Sequence, residues 1–386
     1  MHDITRLLAL MVEHNASDLY LTIDSPPMYR INGSIKPAGT KHLAEEDTES
    51  LAISLMNDRQ QVEFERDNEQ NIGLNYESMG RFRVNILRQR GAVAMVIRRI
   101  QMHIPTIEEL GLPGVLQDVA TTKRGLVLVV GATGSGKSTS LAAMIDYRNT
   151  NTAGHIVTIE DPIEFVHPHK KCIVTQREVG MDTLSYQMAL KNALRQSPDV
   201  ILLGEIRDLE TMEAAIQFAE TGHLCLATLH SNNANQAMER IMNFFPHERH
   251  AQIYMQLSLN LRGILSQRLI KRKDEGRVPA VEILLDSPRV KDLILKGQVG
   301  ELKEAMEKSN NIGMQSFDQA LFDLYASNKI SLEEALKNAD SANNLRLRVH
   351  LSEQKDFNEQ NKPFKSKKSG TEIQISDDNP LQIRSD

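Results

Sequence analysis

The stretch Gly131-Ala132-Thr133-Gly134-Ser135-Gly136-Lys137-Ser138-Thr139 constrains this chain more than any other. It fits G-x-x-x-x-G-K-[ST], a loop that works only between a strand and a helix. Its glycines let successive backbone N–H groups wrap an anion, and the following helix adds the positive end of its dipole. The flanks supply that setting, because Gly125 to Val130 reads as a buried strand and Lys137 to Tyr147 as a helix. The expected ligand of residues 131–139 is ATP. Lys137, exposed in the loop, neutralises the β and γ phosphates, and the Ser138 hydroxyl ligates Mg²⁺.

Short apolar strands and amphipathic helices alternate beyond the loop: His155 to Ile159, Thr183 to Arg195, Val200 to Leu203, Leu209 to Glu220 and Leu224 to Leu229. That order predicts an α/β fold whose largely parallel sheet is covered on both faces. Ligands of such sheets bind beyond the C-terminal strand ends, and three of those ends carry chemistry here. The first leads into Glu160-Asp161-Pro162-Ile163-Glu164, where one carboxylate can orient or deprotonate an attacking water. Val200 to Leu203 leads into Gly204-Glu205-Ile206-Arg207-Asp208, an apolar strand with an acidic end of the Walker B kind, in which Glu205 holds the metal directly or through water. The third strand is bracketed by His223 and His230, and His230 falls where the γ-phosphate should lie.

Residues ahead of the loop follow another pattern. Ile4, Leu7, Leu8, Met11 and Val12 have helical spacing; Leu19, Leu21 and Ile23 alternate as in a strand; and Met28 to Ile31 runs into the hairpin signal Asn32-Gly33. A helix over 44–57 and strands at 71–76, 80–87 and 92–100 complete a small α+β unit. His103-Ile104-Pro105-Thr106 marks the boundary, with Thr106 expected to cap a following helix. After Gln236 the chain reads mostly as helices, with one strand near Val278 to Leu285, and from about Ser352 it turns polar, as in a disordered tail. The expected division is thus 1–103, 104–351 and 352–386.

A net charge of -6 argues against a dedicated nucleic-acid binder. The two cysteines, Cys172 and Cys225, lie in apolar runs and read as core residues rather than as a disulfide or zinc site. The N-terminus lacks the features of a signal peptide, and no stretch approaches the roughly 18 apolar residues of a membrane span, so a cytoplasmic location is expected.

Taken in order, phosphate loop, acidic box, Walker B strand and histidine box resemble the secretion ATPase superfamily of type II secretion and type IV pili. Within it the chain is similar to the type IV pilus retraction ATPases, the PilT/PilU family, and most to its PilU branch. The resemblance runs from Ser17-Asp18-Leu19 to Gly313-Met314-Gln315-Ser316-Phe317-Asp318-Gln319. It implies a PAS-like N-terminal domain, a RecA-like ATPase domain and a homo-hexameric ring. Glu164 matches the family's catalytic carboxylate, Glu205 its Walker B glutamate and His230 its γ-phosphate-sensing histidine. Arg81 and Arg83 match arginines that reach nucleotide, in these rings across a subunit boundary. A cytoplasmic motor seated peripherally on the inner membrane at the pilus base is implied, with a PilT-type ATPase and an inner-membrane platform protein as partners and no nucleic acid.

Three competing readings are less well supported. Extension and type II secretion ATPases carry a four-cysteine zinc element, which this chain lacks. A motor on DNA or RNA is disfavoured by the acidic balance, and a decayed scaffold by the intact motifs. Ser287 to Lys296 stands where PilT proteins carry A-I-R-N-L-I-R-E, with the alanine, the asparagine and the second arginine replaced. That departure favours the PilU branch and an accessory role in retraction.

Overall fold

The computed structural model describes residues 3–100 and 102–360 and contains two sheets. Helix α1 (Ile4–Glu13) starts where Asp3 accepts a hydrogen bond from the Thr5 N–H, and it buries Ile4, Leu7, Leu8 and Met11. Strands β1 (Asp18–Leu21), β2 (Met28–Ile31) and β3 (Ser34–Pro37) follow, the last two joined at Asn32 and Gly33, both in the left-handed region a tight hairpin needs. The single helix expected over 44–57 is two, α2 (Glu45–Leu55) and α3 (Asp58–Asp67). Asn57 separates them because its side chain accepts from the Gln60 N–H while Gln60 returns a bond to the Asn57 N–H, a reciprocal cap that starts a new helix. Strands β4 (Glu69–Tyr76), β5 (Gly80–Gln89) and β6 (Ala92–Arg99) complete an antiparallel sheet of order β3-β2-β1-β6-β5-β4.

Thr106 does not cap a helix. Its hydroxyl accepts from the Glu109 N–H and Glu109 accepts from the Thr106 N–H, closing a turn, and α4 (Val115–Thr121) begins only later. The second sheet is then built by β7 (Gly125–Val130), α5 (Lys137–Asn151), β8 (Gly154–Glu160), β9 (Cys172–Glu178), α6 (Tyr186–Ala193), β10 (Val200–Leu203), α7 (Leu209–Glu220) and β11 (Leu224–Leu229). Helices α8 (Ala234–Asn243) and α9 (His250–Asn260) lead to β12 (Leu261–Lys271) and β13 (Arg277–Leu285). The strand order is β13-β12-β7-β11-β10-β8-β9, parallel except for β13. Every residue of β7, β10 and β11 is buried, as a strand covered on both faces requires. Cys172 and Cys225 are buried and free.

Strand β12 corrects the expectation of helix after Gln236. Ser266-Gln267-Arg268 interrupts its apolar run, but it lies between β7 and β13, so Ser266 and Gln267 are buried and bond to neighbouring elements. Helices α10 (Pro288–Leu295), α11 (Leu302–Glu307), α12 (Phe317–Ala326), α13 (Leu332–Asn338) and α14 (Ala342–Gln360) close the chain. The last of these runs past the tail boundary expected at 352. Leu345 and Val349 anchor it in the same core as Phe317 and Leu321, and glutamate, glutamine and lysine have high helix propensity. The rest of the expected tail, 361–386, lies outside the described residues. Among the described residues no helix is long and apolar enough to cross a membrane.

Candidate nucleotide site

The parallel strands deliver their C-terminal ends to one cleft of about 630 Å³. Lys137 and Ser138 enter it from the start of α5, Glu160 from the end of β8 and Glu164 from beyond it, Glu205 and Arg207 from beyond β10, and His230 from beyond β11. Four motifs far apart in sequence thus share one hollow because β7, β11, β10 and β8 are adjacent and in parallel register.

The loop itself needs its glycines. Gly131, Gly134 and Gly136 have φ of 155°, 76° and 88°. A Cβ on Gly131 would meet the Ser135 Oγ at 2.4 Å and the Gln267 carbonyl at 2.6 Å, so no larger residue fits there. Lys137 is not exposed, as expected, but buried, and its Nζ donates to the carbonyls of Gly131 at 2.9 Å and Ala132 at 3.0 Å. Burial pulls its pKa down, and the charges of Glu205 and Glu164 oppose that shift.

Glu205 is engaged on both oxygens. His230 Nε2 approaches one at 2.8 Å and Arg207 Nε donates to the other at 2.5 Å. Burial, followed by the charge of Lys137, lowers the His230 pKa below its ordinary value, so the ring is neutral at pH 7 and its Nε2–H is the donor to Glu205. Arg207 also reaches Asp161 at 3.4 Å, tying the Walker B strand to the acidic box. Glu160 accepts from Thr158 at 2.7 Å and Gln176 at 3.2 Å at the cleft floor, and burial pushes its carboxyl up to about 7. Glu164 is exposed to the cleft; its backbone N–H bonds the Glu160 carboxyl.

Two assignments differ from a simple picture. His223 sits at the opposite end of β11, against the Phe218 carbonyl, so of these two histidines His230 alone lines the cleft. Arg81 and Arg83 do not line their own chain's cleft. They project from β5 onto Glu178 at the end of β9, at 3.7 and 3.9 Å. Burial raises the Glu178 pKa, with Arg83 and Arg81 opposing, and its other bond comes from the Ile163 N–H at 3.3 Å.

Sequence reasoning missed Arg207 and Gln267. Arg207 was visible beside Glu205 but had no assigned partner; Gln267 lay in a segment read as helical, with nothing to place it beside the loop. For Mg²⁺, the Ser138 hydroxyl and the Glu205 carboxylate are an oxygen donor set at the phosphate end of the cleft. This fits an ion that is carried by phosphates and keeps several of its waters.

The family profile described as "Type II/IV secretion system protein" matches residues 1–297. The chain is 52% identical over 383 residues to the type IV pilus ATPase PilU of Pseudomonas aeruginosa, covering 99% of each chain. It is 44% identical over 337 residues to the type IV pilus retraction ATPase PilT of the same organism, covering 87% of this chain and 98% of that one. Its fold superposes with a TM-score of 0.83 on the crystal structure of the pilus retraction motor PilT with bound ADP, at 41% identity over 88% of this chain and 98% of that one.

Proposed function

Since this chain belongs to the type II/IV secretion system protein family and is a pilus retraction ATPase, we propose that it hydrolyses Mg²⁺-ATP in the cleft above the parallel sheet, as a ring-forming motor accessory to a PilT-type partner. The observation that carries this reading is the convergence of Lys137, Glu164, Glu205 and His230 on one cleft. The loop amides of 131–139 and the N-terminus of α5 hold the phosphates, while the Lys137 ammonium leaves the Gly131 and Ala132 carbonyls for the β and γ phosphates. Ser138 and Glu205 hold Mg²⁺, which neutralises charge on the phosphates. Glu164 takes a proton from the attacking water as its oxygen bonds to the γ phosphorus and the bond to the β–γ bridging oxygen breaks. His230, neutral and with one N–H to give, releases Glu205 and turns that donor to a γ-phosphate oxygen.

The N-terminal sheet is read as PAS-like and the second domain as RecA-like, in a homo-hexamer in which Arg81 and Arg83 serve a neighbour's nucleotide. Their pairing with Glu178 supports that reading, because ion pairs at 3.7 and 3.9 Å are longer than hydrogen bonds and are readily exchanged for phosphate. Attachment to an inner-membrane platform protein at the pilus base, and the absence of a nucleic-acid partner, belong to the same proposal. The accessory role rests on Ser287–Lys296. There α10 buries Val290, Leu293 and Ile294, while Arg289 is committed to Glu301 and Asp292, so the motif's surface is altered but its helix is kept.

Glu164→Gln is expected to retain ATP binding and to hydrolyse about 10²–10⁴-fold more slowly, because the amide keeps the shape but accepts no proton. Turnover near wild type in a steady-state assay removes Glu164 from the chemistry. Mixing an Arg81→Ala, Arg83→Ala protein with Lys137→Ala protein is expected to restore part of the activity if the arginines serve a neighbour; verified mixed rings with none contradict it. In cells, this protein is expected to restore retraction alongside a PilT-type partner that docks but cannot hydrolyse ATP. Robust retraction with every paralogue removed overturns the accessory role.

A further inference from the structure

We infer that Gln267 is a positioning residue for nucleotide binding, holding the Ser135–Gly136 peptide so that the Gly136 N–H faces the phosphate site. The inference rests on residues 131–139 being that site. Gln267 is buried on β12, and its Nε2 donates to the Ser135 carbonyl at 2.9 Å. Its Oε1 accepts from the Ser140 hydroxyl at 2.7 Å, one turn into α5. The orientation of the amide is fixed, because the Ser135 carbonyl can only accept and must therefore meet the NH₂ side.

The consequence follows from peptide geometry. In a planar trans peptide the C=O and N–H point in opposite directions. A carbonyl of Ser135 captured by β12 therefore turns the N–H of Gly136 away from the sheet and into the cleft, which Gly136 lines. Contact reinforces the bond. A Cβ on Gly136 would stand 2.8 Å from Gln267 Nε2, and the Gln267 carbonyl abuts Gly131 at the other end of the loop. Within the loop the Ser135 N–H donates to the Ala132 carbonyl at 3.2 Å, but the buried Ser135 hydroxyl has no hydrogen-bond partner among the described residues, so the hold on the Ser135 carbonyl comes from Gln267. With this brace the loop presents its donors before phosphate arrives, and nucleotide binding need not reorder the peptide.

The neighbouring residue gives the brace an anchor. Arg268 points to the other side of β12, donating to the Asn338 carbonyl at 2.6 Å and to Asp340 at 2.8 Å, with its guanidinium 3.8 Å from the centre of the Phe317 ring. Strand β12 is thereby clamped between the phosphate loop and the C-terminal helices.

Gln267→Met keeps the side chain's length and removes both hydrogen bonds; Gln267→Glu keeps the acceptor for Ser140 but sets a carboxylate against the Ser135 carbonyl. In full-length protein with Mg²⁺, both variants are expected to bind ATP and ADP about tenfold or more weakly, as loss of a bond to a buried carbonyl implies. KM should rise in step while kcat is largely kept. Ser266→Ala, whose hydroxyl serves Glu282 and not the loop, is expected to lose thermal stability without a change in nucleotide affinity. Lys137→Ala probes the phosphate site itself, and wild-type affinity in that variant overturns the site assignment. Lost affinity in Lys137→Ala together with wild-type affinity in Gln267→Met overturns the role of Gln267 alone. Should Gln267→Met not fold, wild-type affinity in Gln267→Glu and Ser140→Ala overturns it equally.

Discussion

An ammonium group held by two backbone carbonyls is the contact on which the rest of this site turns. Lys137 Nζ sits on the carbonyls of Gly131 and Ala132 inside the loop. Desolvation disfavours that charge, and the carboxylates of Glu205 and Glu164 across the cleft oppose the effect alongside the two carbonyls. Such a cation is poised for transfer, since phosphates carry more negative charge than two carbonyls and bind in the same hollow. Glu205 faces the same choice, because His230 and Arg207 now occupy the oxygens that Mg²⁺ and its waters would use. Lys137 and Glu205 are thus both held by internal partners with which a Mg²⁺-nucleotide would compete.

The parallel sheet makes this possible. Adjacent strands β8, β10, β11 and β7 end side by side, so short loops bring carboxylate, guanidinium, imidazole and ammonium together without long excursions of the chain. The apolar interiors of those strands, buried on both faces, hold the ends in register. The N-terminal domain meets this framework through Arg81, Arg83 and Glu178, and the Ile163 N–H on Glu178 places that junction next to Glu164. The contact between the two domains and the segment that carries Glu164 are therefore neighbours in space.

Much of this was legible in the sequence, for identifiable reasons. Strands buried on both faces are continuous apolar runs, and a glycine-rich loop followed by lysine has few folds open to it. His230 was found because its strand was found. What escaped depends on tertiary partners. Gln267 lay in a segment read as mostly helical, and the hydrogen bonds that give it a role reach Ser135 and Ser140, more than a hundred residues away. Asn57 divided a helix through a reciprocal cap with Gln60 that hydrophobic spacing does not register. The buried setting of Lys137 was missed for a similar reason, since only the folded loop turns two carbonyls onto a side chain that composition alone assigns to solvent.

The central claim is that the loop at Gly131–Thr139 exchanges internal pairs for phosphate. It is tested most directly by determining the structure of the full-length protein with Mg²⁺ and a non-hydrolysable ATP analogue. The account predicts the Lys137 ammonium on the β and γ phosphates, parted from the Gly131 and Ala132 carbonyls, with the Ser135 carbonyl still on Gln267. A nucleotide bound outside this cleft, or one bound with Lys137 still on those two carbonyls, contradicts it.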